Sequence, residues 1–282
     1  MSAVHAATIA APQTQLAEGT FLLTLRCPEV ARQIRPGQFV MFRDETDSDP
    51  LLGRPFALYD TDGDTFSIAY HVIGKQTRLM VGWEPGRRIR LWGPLGNGFP
   101  SDLSGERLLF VGGGIGYSPF PAVARDALGV AGYGGRTANR RFARATLIQG
   151  ARTADLMTRE NDAELVAAGA SVERCTDDGS SDQAGRVTDL LADHLADDGR
   201  RPDVVFTCGP VAMMKAVASD CGAAGVPCHL SLETPMACGF GACFSCVVPI
   251  RDDRAADGWD YRRSCVEGPV FEASQMDLAA LA

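Results

Sequence analysis

The change in sequence rhythm near Arg107 is the feature that most constrains the fold of this 282-residue chain. Before this point, short runs rich in β-branched and aromatic residues alternate with segments that carry Gly, Pro and Asp. Such runs are typical of a small antiparallel barrel or sandwich. After it, continuous apolar runs alternate with helix-like segments, which indicates a parallel, doubly wound sheet. We therefore predict an antiparallel β-barrel domain over residues 1–103 and an α/β domain over residues 104–233.

The individual elements follow from the same patterns. Strands of the barrel are predicted at residues 19–27, 37–44, 53–60, 64–73 and 87–94. The α/β domain is predicted to have strands at 107–113, 145–151, 170–175, 203–209 and 227–233, and helices at 119–128, 162–169, 187–198 and 211–225. Residues 129–144 show no period and are rich in Gly and Arg. We interpret them as a surface loop that is either mobile or used for docking.

Composition and charge indicate a globular protein and argue against a membrane span and a nucleic-acid partner. The chain is 45% apolar and 22% charged, which is ordinary for a globular protein with a buried core. No window of about 18 apolar residues is present, so we expect no membrane span. The N-terminus lacks a basic stretch followed by an apolar run, so we expect no signal peptide and interpret the nine cysteines as reduced thiols in a cytoplasm. The net charge of -8 argues against a nucleic-acid partner.

Four cysteines near the C-terminus carry the most specific signal. The stretch "CGFGACFSC" has the spacing C-x4-C-x2-C, and a fourth cysteine follows 19 residues later. This is the spacing of plant-type 2Fe–2S proteins, in which four thiolates surround two irons. Structural zinc sites, the alternative, show paired short spacings, whereas the second half here supplies a single cysteine. We predict a small 2Fe–2S module over residues 234–282, with the metal ligands Cys238, Cys243, Cys246 and Cys265.

A glycine-rich loop follows the first predicted strand of the α/β domain. In "FVGGGIGYSPF" the glycines permit a tight turn, Ser118 is a natural N-cap and Pro119 a natural first helical residue. The helix start would face the pyrophosphate of NAD or NADP, and the alternative is a tight turn without a ligand. Ligands of open parallel sheets lie beyond the carboxyl ends of strands, where "CGP" also falls, although a buried structural thiol is the alternative for its cysteine. The predicted nucleotide contacts are Gly112, Gly113, Gly114, Gly116, Cys208, Gly209 and Pro210.

Three further stretches resemble sequences of the ferredoxin reductase superfamily. They are "GRPFALYD" (Gly53–Asp60), "AYHVIGKQTRLM" (Ala69–Met80) and "GPLGNGF" (Gly93–Phe99). The glycine loop, "CGP" and "SLETPMACGFGACFSC" follow them in the order of that superfamily. Over nearly its whole length the chain is similar to the electron-transfer subunits of dihydroorotate dehydrogenase B.

This resemblance implies an FAD on the barrel, with Arg54 supplying charge and Phe56 a flat apolar surface. The residues that match the two flavin elements are Arg54, Pro55, Phe56, Ala57, Ala69, Tyr70, His71, Gly74, Gln76 and Thr77. Three of them depart from the family pattern, because Ala57 replaces Ser or Thr, His71 replaces Arg, and Gln76 replaces Gly. The loop over residues 247–264 is also longer than the family pattern.

The resemblance also implies a function. Hydride moves between the nicotinamide and FAD, and single electrons pass through the 2Fe–2S cluster to or from a partner. The implied partner is the FMN-containing catalytic subunit of dihydroorotate dehydrogenase, in pyrimidine biosynthesis and in a heterotetramer. The substrate site lies on that partner, so we expect no catalytic residue in this chain. Two alternatives stay open: a subunit that feeds electrons from NAD(P)H to a hydrogenase-type or sulfur-reducing enzyme, and a non-enzymatic redox sensor.

Overall fold

The computed structural model describes residues 4–45 and 49–281, which fold around three β-sheets. The first is an eight-stranded antiparallel sheet that curves into a half-barrel, with the strand order β5-β4-β8-β1-β3-β7-β6 and with β2 paired to β3. Its elements are β1 (Val4–Ile9), β2 (Thr14–Ala17), β3 (Thr20–Arg26), α1 (Pro28–Ala31), β4 (Phe39–Asp44), β5 (Arg54–Ala57), β6 (Asp60–Asp62), β7 (Thr65–His71), α2 (Lys75–Met80) and β8 (Arg88–Leu95).

All five predicted barrel strands are present, because their alternate residues face a common core. Leu23 and Leu25 of β3 are fully buried, and so is Ile68 on the neighbouring β7. Strands β1, β2 and β6 were not predicted. They are short or rich in small and polar residues, so their sequences lack a clear alternation of apolar and polar positions.

The second sheet confirms the predicted doubly wound architecture. Five parallel strands run in the order β11-β10-β9-β12-β13. The elements are β9 (Gly105–Gly113), α3 (Phe120–Ala127), β10 (Phe142–Ala151), α4 (Asp162–Ala167), β11 (Ala170–Thr176), α5 (Val187–Ala196), β12 (Val204–Cys208), α6 (Val211–Ala224) and β13 (Cys228–Ser231). No helix in the described part of the chain is long and apolar enough to cross a membrane.

The C-terminal segment, expected to be a small separate module, shares part of its structure with the nucleotide domain. The long stretch over residues 247–264, expected as a loop, is an antiparallel hairpin of β14 (Val247–Arg251) and β15 (Trp259–Arg263). A last strand, β16 (Val270–Glu272), pairs antiparallel with β13 and so becomes the edge of the nucleotide sheet. The predicted domain boundaries at residues 103 and 233 therefore stay predictions, since β16 belongs by its hydrogen bonds to the sheet before it.

The glycine- and arginine-rich segment over residues 129–144 joins the two larger domains. The Tyr133 side chain in it is only 2% exposed, and its hydroxyl donates to the carboxylate of Asp60 on the barrel over 2.8 Å. The buried guanidinium of Arg125 on α3 lies 2.7 Å from the same carboxylate and 2.9 Å from that of Glu164 on α4. The segment is a mostly exposed loop up to β10, and Tyr133 is its buried contact with the barrel, which the sequence did not predict because its partner lies far away in the chain.

We predict that Arg125→Met destabilises the protein by about 2 kcal/mol, because it leaves the Asp60 carboxylate and the Tyr133 hydroxyl without their buried cationic partner. The measurement is the shift of the urea unfolding midpoint. Arg159→Met is the matched control, since its ion pair with Asp182 joins two half-exposed side chains over 3.4 Å and should contribute less than about 1 kcal/mol. Equal shifts for the two variants would show that the interdomain ion pair adds nothing.

Candidate cofactor and electron-transfer site

A cavity of about 650 Å³ opens at the carboxyl ends of the parallel strands and reaches across to the barrel. Its volume is in the range of cofactor-binding clefts. Of the predicted site residues, His71, Gly113, Gly114 and Pro210 line it. The other predicted nucleotide residues, Gly112, Gly116, Cys208 and Gly209, lie around this wall without lining the cavity.

The glycine loop forms the cavity wall through close backbone packing. Gly114 has φ +55°, and a Cβ added there would meet no atom within 4 Å, so its face is open. In contrast, a Cβ on Gly116 would lie 2.5 Å from the carbonyl oxygen of Cys208, which only glycine permits. The predicted cap at Ser118 is wrong: residues Gly114–Tyr117 form a 3₁₀ turn, and Pro119 precedes α3 with no side-chain cap.

Cys208 ends strand β12 directly beneath this loop. It is buried, and burial raises the pKa of its thiol to about 12, with a smaller contribution from the charge of Glu233. The next residue, Gly209, has φ +144° and packs against the backbone of Gly113, where an added Cβ would lie 2.9 Å from the carbonyl oxygen. Cys208 is thus an uncharged thiol held in place behind the cavity wall.

Several cavity residues were not identified from the sequence. Arg152 follows β10, Asp177 follows β11, and Arg186 and Thr188 lie at the start of α5, while Thr20 reaches the cavity from the barrel. Arginines are suited to phosphates, and a carboxylate at a strand end is suited to a ribose hydroxyl. The sequence signal for Arg152 and Asp177 was their position just after a predicted strand, because all strands of a parallel sheet end at the same edge.

In the flavin element on β7, successive side chains point to opposite faces of the strand. Ala69 and His71 share one face, and the Nδ1 atom of His71 lies 2.9 Å from the hydroxyl of Thr20. Tyr70 instead points into the barrel core, where its hydroxyl donates to Gln13 over 2.5 Å and where burial raises its pKa. Phe56 likewise lies in the core, stacked on Phe42 at 4.5 Å between ring centroids. The structure thus departs from the expectation that Phe56 offers a flat surface, because the core covers most of its ring.

The remaining flavin residues lie along the seam where β5 approaches β7. The amide of Tyr59 donates to the carbonyl of Ser67 on β7 over 2.8 Å, and the ring centroids of Phe56 and Tyr70 are 6.4 Å apart, so the two strands approach each other here. The guanidinium of Arg54 is exposed and its Nη1 donates to the Leu52 carbonyl over 2.9 Å. Pro55 follows Arg54 on β5 and is half-buried.

The turn before α2 is held by one side chain. The hydroxyl of Thr77 accepts hydrogen bonds from the amides of Gly74 at 3.0 Å and Ile73 at 3.1 Å. Gln76 is buried, and its Nε2 atom has no hydrogen-bond partner among the described residues. Gln76 lines a small pocket of about 130 Å³ together with Asp49 and Trp83, separate from the nucleotide cavity, so this donor does not mark the position of the flavin. The partly accessible Pro55 and Ala57 on β5 and His71 on β7 leave open surface on both strands, which fits an FAD along β5 and β7.

The four predicted metal ligands converge as two pairs. Hydrogen bonds from Ser245 and then Cys238 lower the pKa of the exposed Cys243 thiol to about 6. Burial and then the neighbouring Cys246 raise the pKa of Cys265 to about 12. Cys238, Cys243, Cys246 and Cys265 would together supply the four thiolates that hold a cluster here. This donor set fits a 2Fe–2S cluster, whose positive irons would favour the thiolate form of all four.

The loop that carries the cysteines packs directly on the barrel. Its Gly239 has φ +79° and lies so close to Met41 on β4 that a Cβ there would collide with the thioether. The indole of Trp92 on β8 donates to the carbonyl of Cys238 over 2.8 Å. The same ring covers Gly53, the first residue of the flavin motif. Since Met41 is the register partner of Pro55, the cysteine loop and the flavin strand are separated by one strand of the sheet.

We predict that Gly114→Val slows flavin reduction by NADH by about tenfold or more, which corresponds to roughly 1.4 kcal/mol of lost binding free energy. A β-branched side chain resists this φ and projects into the cavity. Stopped-flow absorbance at the flavin band measures the rate, and dithionite should still reduce the flavin. Gly169→Val is the control, because Gly169 has φ +95° and open space around it but does not line this cavity. If both variants use NADH as the parent does, the loop is a structural turn.

Comparisons with known proteins agree with this arrangement. Residues 233–277 match the iron-sulfur cluster binding domain of dihydroorotate dehydrogenase B, and residues 110–219 match the oxidoreductase NAD-binding domain. The structure is similar to a chain of NADH-dependent reduced ferredoxin-NADP oxidoreductase, with a TM-score of 0.78 and 28% identity over 97% of this chain and 91% of that one. A ferredoxin reductase of carbazole 1,9a-dioxygenase shares the fold at a TM-score of 0.66, 22% identity, and coverage of 81% and 69%.

Curated relatives match along almost the full length. The electron transfer subunit of dihydroorotate dehydrogenase B (NAD(+)) from Geobacillus thermodenitrificans is 38% identical over 94% of this chain and 96% of its own length. The subunit of the same name from Bacillus caldolyticus is 36% identical, with coverage of 95% and 96%. This chain therefore belongs to the family of electron transfer subunits of dihydroorotate dehydrogenase B, as an oxidoreductase subunit with NAD, FAD and a 2Fe–2S cluster as its cofactors.

Proposed function

We propose that this subunit passes electrons from an FMN-containing dihydroorotate dehydrogenase catalytic subunit to NAD, as a step of pyrimidine biosynthesis. The observation that carries the proposal is the order of the three sites across the fold. The cysteine loop packs on β4, the flavin strand β5 is the next strand, and the nucleotide cavity reaches the barrel at Thr20 and His71. Adjacent strands are about 4.8 Å apart, so the cysteine loop and the flavin strand are neighbours, with only β4 between them.

The two resident cofactors, when bound, supply the exchange of a two-electron hydride for single electrons. The chain's own residues hold and shield them. Arg152 and Arg186 provide positive charge for the nucleotide phosphates, and Gly114 lets the backbone approach. Cys246 and Cys265 are buried against Met41, which keeps water from one side of the cysteine loop. Conversion of two single electrons into a hydride also takes up one proton, which solvent would supply, and we assign no acid or base of this chain to that transfer.

We further propose that NAD is preferred over NADP and that the protein is cytoplasmic. The carboxylate of Asp177 lines the cavity and would repel a ribose phosphate while accepting a hydrogen bond from a ribose hydroxyl. None of the nine cysteines, all of which lie in the described residues, forms a disulfide, which supports a reducing compartment. The names of the curated relatives, which specify NAD(+), agree with the first proposal.

A face next to the cysteine loop supports docking of the catalytic subunit. Phe240 and Phe244 flank Cys243 and are 58% and 61% exposed, and Val266 adds a further exposed apolar side chain. Arg263 holds this face: its guanidinium lies 5.2 Å from the Phe244 ring centroid, donates to the Gly241 carbonyl over 3.1 Å and pairs with Glu267. An exposed apolar patch on a rigid loop is typical of a protein contact.

We predict that Phe240→Ser weakens binding of the catalytic subunit by about tenfold, since burial of a large aromatic side chain at an interface contributes more than about 1 kcal/mol. Calorimetric titration of one subunit with the other measures the dissociation constant. Val166→Ser is the matched control, because Val166 on α4 is equally exposed, at 59%, but lies far from the cysteines in the fold. Loss of affinity in both variants, or in neither, would contradict the assignment of this face.

The function itself is tested by mixing the two purified subunits with dihydroorotate as the sole donor. The subunit alone should oxidise NADH with an artificial acceptor but should not oxidise dihydroorotate. The mixture should reduce NAD, followed as NADH absorbance. The alternative direction, from NADH to another oxidoreductase, is favoured by the likeness to the NADH-dependent ferredoxin-NADP oxidoreductase chain. A silent mixture of fully loaded subunits, together with NADH-dependent reduction of a ferredoxin, would support that alternative.

A further inference from the structure

A second set of metal-ligating side chains lies on the barrel, apart from the four cluster cysteines. The imidazole of His5, the thiol of Cys27 and the carboxylate of Glu29 all lie within 4.8 Å of one another. The antiparallel pairing of β1 with β3, with Thr8 opposite Arg26, brings the start of β1 beside the residues that follow β3. The set therefore joins three elements, β1, the end of β3 and α1.

We propose that His5, Cys27 and Glu29 form a zinc-binding site. The Sγ atom of Cys27 lies 3.7 Å from Oε2 of Glu29. Zn–S and Zn–O bonds of about 2.3 and 2.0 Å at a tetrahedral angle place the two ligand atoms roughly 3.5 Å apart, so little movement is needed. Three protein ligands with nitrogen, sulfur and oxygen atoms leave a fourth position for water.

The surroundings favour a transition metal over calcium or magnesium. The latter prefer sets of oxygen ligands, whereas thiolate and imidazole select zinc and its neighbours. Cys27 is fully buried, so an ion bound to its thiol is shielded from solvent on that side. A bound zinc ion replaces the thiol proton and neutralises the carboxylate, and one proton is released. Glu29 is exposed and His5 half-buried, so the ion has a path from solvent.

A zinc ion bound here would cross-link β1 to the residues that follow β3 and so stabilise the barrel. β1 pairs with both β3 and β8, so it lies in the middle of the sheet, and its first residues are tied to the rest of the chain by backbone hydrogen bonds to β8. A metal that binds the folded state and not the unfolded chain raises stability by mass action. The role is structural and is independent of the path that electrons follow through the cysteine loop.

The test uses the holoprotein with its FAD and cluster. One equivalent of ZnCl₂ is added and excess metal is removed, after which zinc and iron are counted and zinc-edge X-ray absorption is recorded. We expect one zinc per chain, full retention of iron, and a zinc shell of one sulfur and three nitrogen or oxygen atoms. His5→Gln and Glu29→Gln, both at accessible positions, and Cys27→Ser should each weaken zinc binding about tenfold or more. The unfolding temperature should rise with zinc in the parent protein and not in these variants.

The matched control is Cys228→Ser, a buried cysteine beside Cys221 that has no histidine or carboxylate partner among the described residues. It should bind zinc as the parent does. If Cys27→Ser fails to fold, the two accessible variants decide the outcome. A zinc shell dominated by sulfur, with loss of iron, would place the ion at the cluster cysteines and overturn the proposal. Equal zinc affinity in the parent and in His5→Gln would do the same.

Discussion

The packing of the cysteine loop against strand β4 is the contact on which the electron path through this chain depends. Gly239 fits against Met41 because it has no side chain, and the indole of Trp92 fixes the carbonyl of Cys238. The ring of Trp92 also covers Gly53 at the start of the flavin motif. The Trp92 side chain thus contacts both the cysteine loop and the first residue of the flavin motif. A shift of this loop would change the separation of the cluster from the flavin, on which electron transfer depends.

The second requirement is that the nucleotide domain keeps its place against the barrel. Two sets of polar contacts between the barrel and the rest of the chain serve this purpose. Arg125 and Tyr133 converge on Asp60, and the side chain of Asn97 bonds to the backbone of Val270 in both directions, at 2.8 and 3.2 Å. Because Val270 begins β16, the barrel, the nucleotide sheet and the C-terminal segment are joined at one position.

The parts of the fold that local pattern determines could be predicted from the sequence. Strand alternation predicted the barrel core, and the spacing of Cys238, Cys243, Cys246 and Cys265 predicted a metal centre that their convergence in two pairs fits. Contacts between distant segments were missed. Tyr133 lies in a segment of Gly and Arg with no local signal for its partner Asp60. Arg152, Asp177 and Arg186 meet only because three separate strand and helix ends open on one edge of the sheet.

The sequence also did not predict the direction in which individual side chains point. A motif names Phe56 and Tyr70 but does not say which face of the strand each occupies, and both fill the barrel core. Ser118 has the residue type of a cap but follows a 3₁₀ turn that starts four residues earlier. In each case the competing interaction is tertiary packing or backbone geometry set by the glycines, which local residue preference does not contain.

The central claim is that one chain connects the nucleotide cavity to the cysteine loop through the flavin strand. Anaerobic addition of NADH to the isolated holoprotein, followed by electron paramagnetic resonance of the frozen sample, tests it directly. The account predicts the signal of a reduced 2Fe–2S cluster after NADH alone, in proportion to the reduced flavin. Reduced flavin without that signal, in a sample where dithionite produces it, would contradict the account.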